Sequence, residues 1–442
     1  MRKFHIENEH LRWIKDFKFR PPSLKNFTVE QPDKLYRPSN IEMGISRHSI
    51  YSMNYNHSIR GLILGKTGSG KSWLLHSKID RFARAGGCVF IVDVKGEYPT
   101  LSVPVQNKFK KFLLENEKPM SMNVKSFYPK YFSNFFEYTP IEEIEKHIDI
   151  DFTKIQPGDF MSLLGFVSKN EELLVQDIYN RIGKTINNIP NMIKYINNSG
   201  YQLSTKSNLL HKISLLEKNH VLGNNFPNIL EDILVPGQVN ILNLIGVDRL
   251  GKDLKIPGEF ISLFLKHIIG YKEEGKMKGL KVLIIIDELS TWMEIESVIR
   301  ELTKIVTKGR YFEISFIGSI QTKGKIPQYM DILFTQISHC FIPYNIDHNE
   351  FVEVYKRLMP TEYDYPITFR KNVSELYYNM KKHKSGSRDW MVIEVDDQNT
   401  EIFAPLSPLS WHSEEGDQPD QIIKKYFNDQ AISSSPSSGN SS

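Results

Sequence analysis

Residues Gly65-Lys66-Thr67-Gly68-Ser69-Gly70-Lys71-Ser72 satisfy the pattern G-x-x-x-x-G-K-[ST] at every fixed position, and nothing else in the 442 residues constrains the fold as tightly. The flanks agree with it. Leu62–Leu64 is a short apolar run leading in, and Trp73–Arg84 has the pattern of a helix leading out. A strand, a glycine-rich turn and a helix N-terminus in that order form a cradle for phosphate. Glycines let backbone N–H groups turn inward, and the helix adds the positive end of its dipole. Gly65 through Trp73 are therefore the expected nucleotide contacts. Lys71 is suited to the β and γ phosphates and the Ser72 hydroxyl to Mg²⁺, so ATP and Mg²⁺ are the expected cofactors.

The chain beyond the loop reads as α/β. Cys88–Asp93 is a wholly apolar run ending in an acid, so strand, helix and strand follow within about 30 residues, the length of a βαβ unit with its sheet covered on both faces. Further strand-like runs are Gln238–Leu244, Val282–Asp287, Ile314–Ser319, Ile337–Pro343, Trp390–Val395 and Thr400–Phe403. Helical periodicity marks Glu171–Ile186, Leu209–Asn219, Phe260–Tyr271 behind Pro257, and Ser297–Thr307. Lys281-Val-Leu-Ile-Ile-Ile-Asp287-Glu288 ends a buried strand in two carboxylates. Asp287 is the second expected magnesium ligand, as in P-loop NTPases, and Glu288 the general base for an attacking water. A GTPase would carry an Asn-Lys-x-Asp motif, and none occurs. The following strand runs directly into Gln321, where ATPases with an added central strand carry a γ-phosphate sensor.

Length sets a prior of two or three domains, from about 150 residues each. The expected division is a lead segment 1–58, an ATPase domain 59–412 with a mainly helical insertion at about 99–234, and an acidic, Ser-rich tail 413–442. Seven of the last ten residues are serine, and the tail reads as disordered apart from a short amphipathic piece at Ile422–Phe427. Two cysteines exclude a disulfide scaffold, and no apolar run is long enough to span a bilayer, so the expected location is the cytoplasm. A net charge of +4 neither announces nor excludes nucleic acid.

With these pieces placed, residues 55–350 resemble the HerA/FtsK superfamily of ring-forming DNA-translocating ATPases, the HerA branch most closely. Leu62–Ser72 is similar to that family's phosphate loop, and Val89–Tyr98 to its strand ending in Asp and then Gly-Glu-Tyr. Val235-Pro-Gly-Gln-Val resembles its strand before Walker B, Val282–Glu288 resembles Walker B, and Gly309-Arg310 through Gln321 matches a Gly-Arg, strand, Gln pattern. The motif usually reading Arg-Glu-Gly-Arg-Lys is Val-Thr-Lys-Gly-Arg-Tyr here. The lead of about 60 residues is too short for the β-barrel many HerA proteins carry, which leaves a docked nuclease or other effector open as a partner.

The resemblance implies a RecA-like core, a hexameric ring, and double-stranded DNA moved in processing, mobilisation or packaging. Within a ring it puts Arg310 near a neighbour's γ-phosphate; a sensor in its own site or a structural ion pair is an equal alternative, and Arg300 is the substitute. Asp93 caps its strand end or tunes the magnesium shell, and Glu97 tunes it or pairs with a lysine. Basic residues cluster at Arg370–Arg388, with six Lys/Arg against one Glu, and at Lys304, Lys308, Lys323 and Lys325, a pattern suited to tracking a phosphate backbone. Lys381–Lys384 taken alone reads more readily as a solvated charged loop. Two other readings fit the motifs: a secretion or conjugation motor moving protein or nucleoprotein, and a nucleotide-dependent scaffold that recruits an effector.

Overall fold

Alternation along the strands sets the architecture. In β8 (Val282–Ile286) residues 282, 284 and 286 enter one apolar cluster, while Leu283 and Ile285 enter another. The same alternation holds in β4 (Cys88–Asp93), where Phe90 and Val92 face one way and Val89 and Ile91 the other. Successive side chains of a strand point to opposite faces, so a strand apolar at every position must be covered twice. The helix Lys71–Arg84 covers one face with Leu74, Leu75, Ile79 and Phe82. Lys255–Glu273 and Glu296–Lys308 cover the other with Phe260, Phe264, Val298 and Leu302.

In the computed structural model the described residues are 40–434, apart from 47–49, 136–140, 166, 251–253, 322–330, 359–372, 379, 381–388, 398 and 413–417. The other strands are β1 (Asn40–Ile45), β2 (Ile50–Asn54), β3 (Arg60–Leu64), β5 (Asn123–Pro129), β6 (Glu145–Ile148), β7 (Gln238–Asn243), β9 (Ile314–Ile320), β10 (His339–Pro343), β11 (Trp390–Glu394) and β12 (Asn399–Pro405). They form one 12-stranded sheet in the order β2-β1-β12-β11-β10-β3-β9-β8-β4-β7-β5-β6. From β10 to β6 every neighbouring pair is parallel, and from β2 to β10 every pair is antiparallel. This is an α/β, RecA-like P-loop core. β9 lies between β3 and β8, the added central strand expected from Gln321.

Three expectations are revised. The lead segment is not all separate from the core, because β1 and β2 extend the sheet through β12. The insertion holds helices Pro157–Leu164, Lys169–Tyr179, Ile189–Asn198 and Leu203–Lys218, yet β5 and β6 inside it are parallel strands of the main sheet. The tail is not disordered throughout: Pro419–Ser434 is helical, Ile423 is fully buried, and Ile422, Tyr426 and Phe427 pack beside it, so an apolar face anchors a segment whose composition reads as solvated. Residues 435–442 lie outside the described residues.

After β12 the chain crosses the helix Lys71–Arg84 as a strap. Buried Asp80 accepts the amides of Leu409 at 2.6 Å and Ser410 at 3.0 Å on Oδ2, and the Ser410 hydroxyl at 2.7 Å on Oδ1. Trp411 N donates to Val103 O at 2.6 Å. Burial raises the Asp80 carboxyl from 3.8 to about 6 despite these hydrogen bonds. The native state therefore binds the proton more tightly than the unfolded chain, and the stabilisation it gives is full below about pH 4 and is lost by about pH 6. Asp80→Asn should flatten that part of the plot of melting temperature against pH. Asp80→Ala, which orphans two buried amides, should cost on the order of 2 kcal/mol at every pH in denaturant titrations.

Candidate functional site

The phosphate loop takes the backbone its glycines allow. Gly65 and Gly70 have φ of 143° and 91°, and a Cβ on Gly65 would sit 2.5 Å from Ser69 Oγ. The helix starts at Lys71, with Leu74 N donating to Gly70 O at 3.1 Å. Lys71 is buried and folded into the loop, its Nζ donating to Gly65 O at 2.7 Å and Lys66 O at 3.1 Å. Burial lowers its pKa, an effect that Glu288 and Asp287 oppose. Burial raises the pKa of Glu97, an effect that Lys95 and the Ser72 side chain oppose. Lys66 reaches outward to Asp347 at 3.3 Å.

The carboxylates come from the ends of two neighbouring strands. Asp287 N donates to Val92 O at 3.2 Å, which continues the ladder one residue past β8. Asp287 Oδ1 accepts from the Ser319 hydroxyl on β9 and from Glu288 N at 3.1 Å. Glu288 has a left-handed backbone, φ 50° and ψ 47°, uncommon outside glycine and a feature that clusters at functional sites. Its Oε1 accepts from Gln321 Nε2 and lies 2.7 Å from Lys95 Nζ, which also sits 3.9 Å from Asp287 Oδ2. Lys71, Ser72, Asp287, Glu288 and Gln321 are thus gathered at the C-terminal ends of parallel strands, where open α/β sheets bind ligands. The donor set, one hydroxyl and one carboxylate with Glu97 behind, is all oxygen and suits Mg²⁺.

Asp93 caps its strand end. Its Oδ1 accepts Lys95 N and Gly96 N, both at 2.9 Å, and its Oδ2 accepts Tyr98 N at 3.1 Å. Burial raises this carboxyl to about 7. The turn it holds presents Lys95 to the acids of β8, a contact that sequence spacing did not reveal. The nearest signal was the Asp-Val-Lys-Gly-Glu run itself.

Two expected site residues stand apart from this cluster. The Trp73 ring packs against Phe109 and His412, with centroids 5.0 and 5.3 Å away, so it is a buried packing group whose only offer to a phosphate is its first-turn N–H. Arg310 is exposed in the turn before β9, at the opposite end of that strand from Gln321. Seven strand residues at about 3.3 Å each put it more than about 20 Å from the phosphate loop of its own chain, which excludes a sensor role there. Arg300 lies 3.1 Å from Glu301 Oε1 and Lys304 2.9 Å from Glu301 Oε2, so both are engaged along their helix. Lys323, Lys325, Arg370, Lys371 and the basic run Lys381–Arg388 lie outside the described residues.

Residues 58–264 match the family described as Helicase HerA, central domain. The DNA double-strand break repair helicase HerA of Sulfurisphaera tokodaii is 26% identical over 269 residues, covering 58% of this chain and 49% of that protein. The chain thus spans about half the length of that curated relative. VirB4 of Thermoanaerobacter pseudethanolicus has the same fold, with a TM-score of 0.52 at 12% identity, over 84% of this chain and 97% of that one. Lys71→Ala should weaken binding of a fluorescent ATP analogue about tenfold or more while leaving the circular dichroism spectrum unchanged, the size of one lost contact to a charged group.

Proposed function

We propose that the chain is a P-loop ATPase of the HerA/FtsK type, a reading supported by its match to the HerA central-domain family over residues 58–264, and that it hydrolyses ATP as a hexameric ring to move double-stranded DNA. The observation that carries hydrolysis is the seat of β9 between β3 and β8, which brings Gln321 onto Glu288. A bare phosphate-binding loop would need neither. DNA as the substrate is supported by the HerA relative, a repair helicase by its description.

The residues divide the work. The loop N–H groups and Lys71 bind the phosphates once the lysine leaves the carbonyls of Gly65 and Lys66. Ser72 and Asp287 would hold Mg²⁺, and the chemistry it supplies when bound is neutralisation of charge on the β and γ phosphates. Glu288 accepts the proton of the water that attacks the γ-phosphorus, and Gln321 fixes the direction of that carboxylate. Arg310, remote from its own site and exposed, is free to stabilise charge on the neighbouring subunit's nucleotide.

Linear duplex DNA should raise the ATPase rate, with the stimulation falling steeply between low and physiological salt, as expected of contacts to phosphate. A rate indifferent to duplex at both salts would remove DNA as the substrate and favour the secretion-type motor or the scaffold. Arg310→Ala should retain nucleotide binding and lose about 10³-fold in kcat. Mixed with inactive Glu288→Gln, it should regain activity, because each variant supplies what the other lacks across a subunit boundary. No recovery on mixing would exclude action in trans.

A further inference from the structure

Lys95 has no part in the chemistry above, yet it makes the closest ion pair at the site. Its Nζ is 2.7 Å from Glu288 Oε1 and 3.9 Å from Asp287 Oδ2. The approach is built in. Asp93 holds the amides of residues 95, 96 and 98, and Gly96 has φ 72°. A Cβ on Gly96 would fall 2.8 Å from Ile245 Cδ1, so the turn is packed as well as hydrogen-bonded. Lys71, the other cation of the site, is turned into the loop carbonyls. Asp287 and Glu288 are adjacent, both largely shielded from water, and like charges so placed repel strongly without a cation between them.

Resting on the reading of Asp287 as metal ligand and Glu288 as base, we infer that Lys95 is a resident counter-cation and positioning residue. It neutralises the Asp287–Glu288 pair and, with Gln321, holds Glu288 until a divalent cation arriving with nucleotide displaces it. Two consequences follow from charge alone. Lys95 competes with the metal, so metal unaccompanied by nucleotide binds weakly. It also occupies the lone pair through which Glu288 would take up a proton, so the base is engaged whenever the metal is not in place.

The test is Mn²⁺ binding followed by electron paramagnetic resonance on the nucleotide-free full chain. Lys95→Met and Lys95→Gln should each bind Mn²⁺ about tenfold more tightly than the wild type, and Lys95→Arg should match the wild type. A purely structural lysine would give the opposite sign, since a loosened site binds metal less well. Unchanged or weaker binding in both neutral variants, with Asp287→Asn weakened, overturns the inference and leaves the metal assignment standing. Unchanged binding in Asp287→Asn, or wild-type hydrolysis by Glu288→Gln, removes the reading on which it rests.

Discussion

Everything at the site depends on four parallel strands that stop together. β3, β9, β8 and β4 are bonded in continuous register, from Leu64↔Ile320 across to Ile286↔Gly318 and Val92↔Ile286. Parallel strands end at one edge of the sheet, so the groups just past their last residues become neighbours although up to about 250 positions separate them in the chain. Gly65 N bonds to Ile320 O at 3.2 Å, and Leu244 N to Asp93 O at 2.7 Å, so the ladder runs past the strands into the loops that carry the chemistry. Ser319 shows how tight this coupling is. Its hydroxyl donates to Asp287 and accepts from Glu288 N at 3.2 Å, which fixes both acids from the adjacent strand.

The same edge concentrates charge in a region with little water. Burial raises the carboxyls of Asp93 and Glu97 and lowers Lys71. Away from it, Arg81 and Glu117 form a buried bidentate pair at 2.9 and 2.6 Å, with Arg81 also donating to Ser407 O at 3.1 Å. The helix that opens the phosphate loop is therefore clamped by the strap behind it, through Asp80 and Arg81 in successive positions.

Much of this was legible in the sequence. Every strand of the ATPase core expected from apolar runs is present, and Cys88–Asp93 has the expected ends. The phosphate loop and the two acids could be read because their chemistry demands fixed residue types at fixed spacing. What escaped was set by tertiary packing. β5 and β6 lie in polar sequence, and β6 is only Glu145–Ile148, too short for alternation to register. β1 and β2 gain their place from β12, more than 340 residues away. Trp73 follows the loop in sequence but turns to Phe109, and Lys95 is drawn inward by a turn that Asp93 closes; neither direction is encoded in local pattern.

β9 is bonded to β8 from Ile314 to Gly318 and to β3 from Phe316 to Ile320, so each part of it has a partner and its middle has two. At its start Gly309 is seated so closely that a Cβ would fall 2.4 Å from Ile305 O, which fastens the Arg310 turn to the strand. At its finish is Gln321, on Glu288. The Arg310 turn and Gln321 are therefore the two ends of a single strand that is held from both sides.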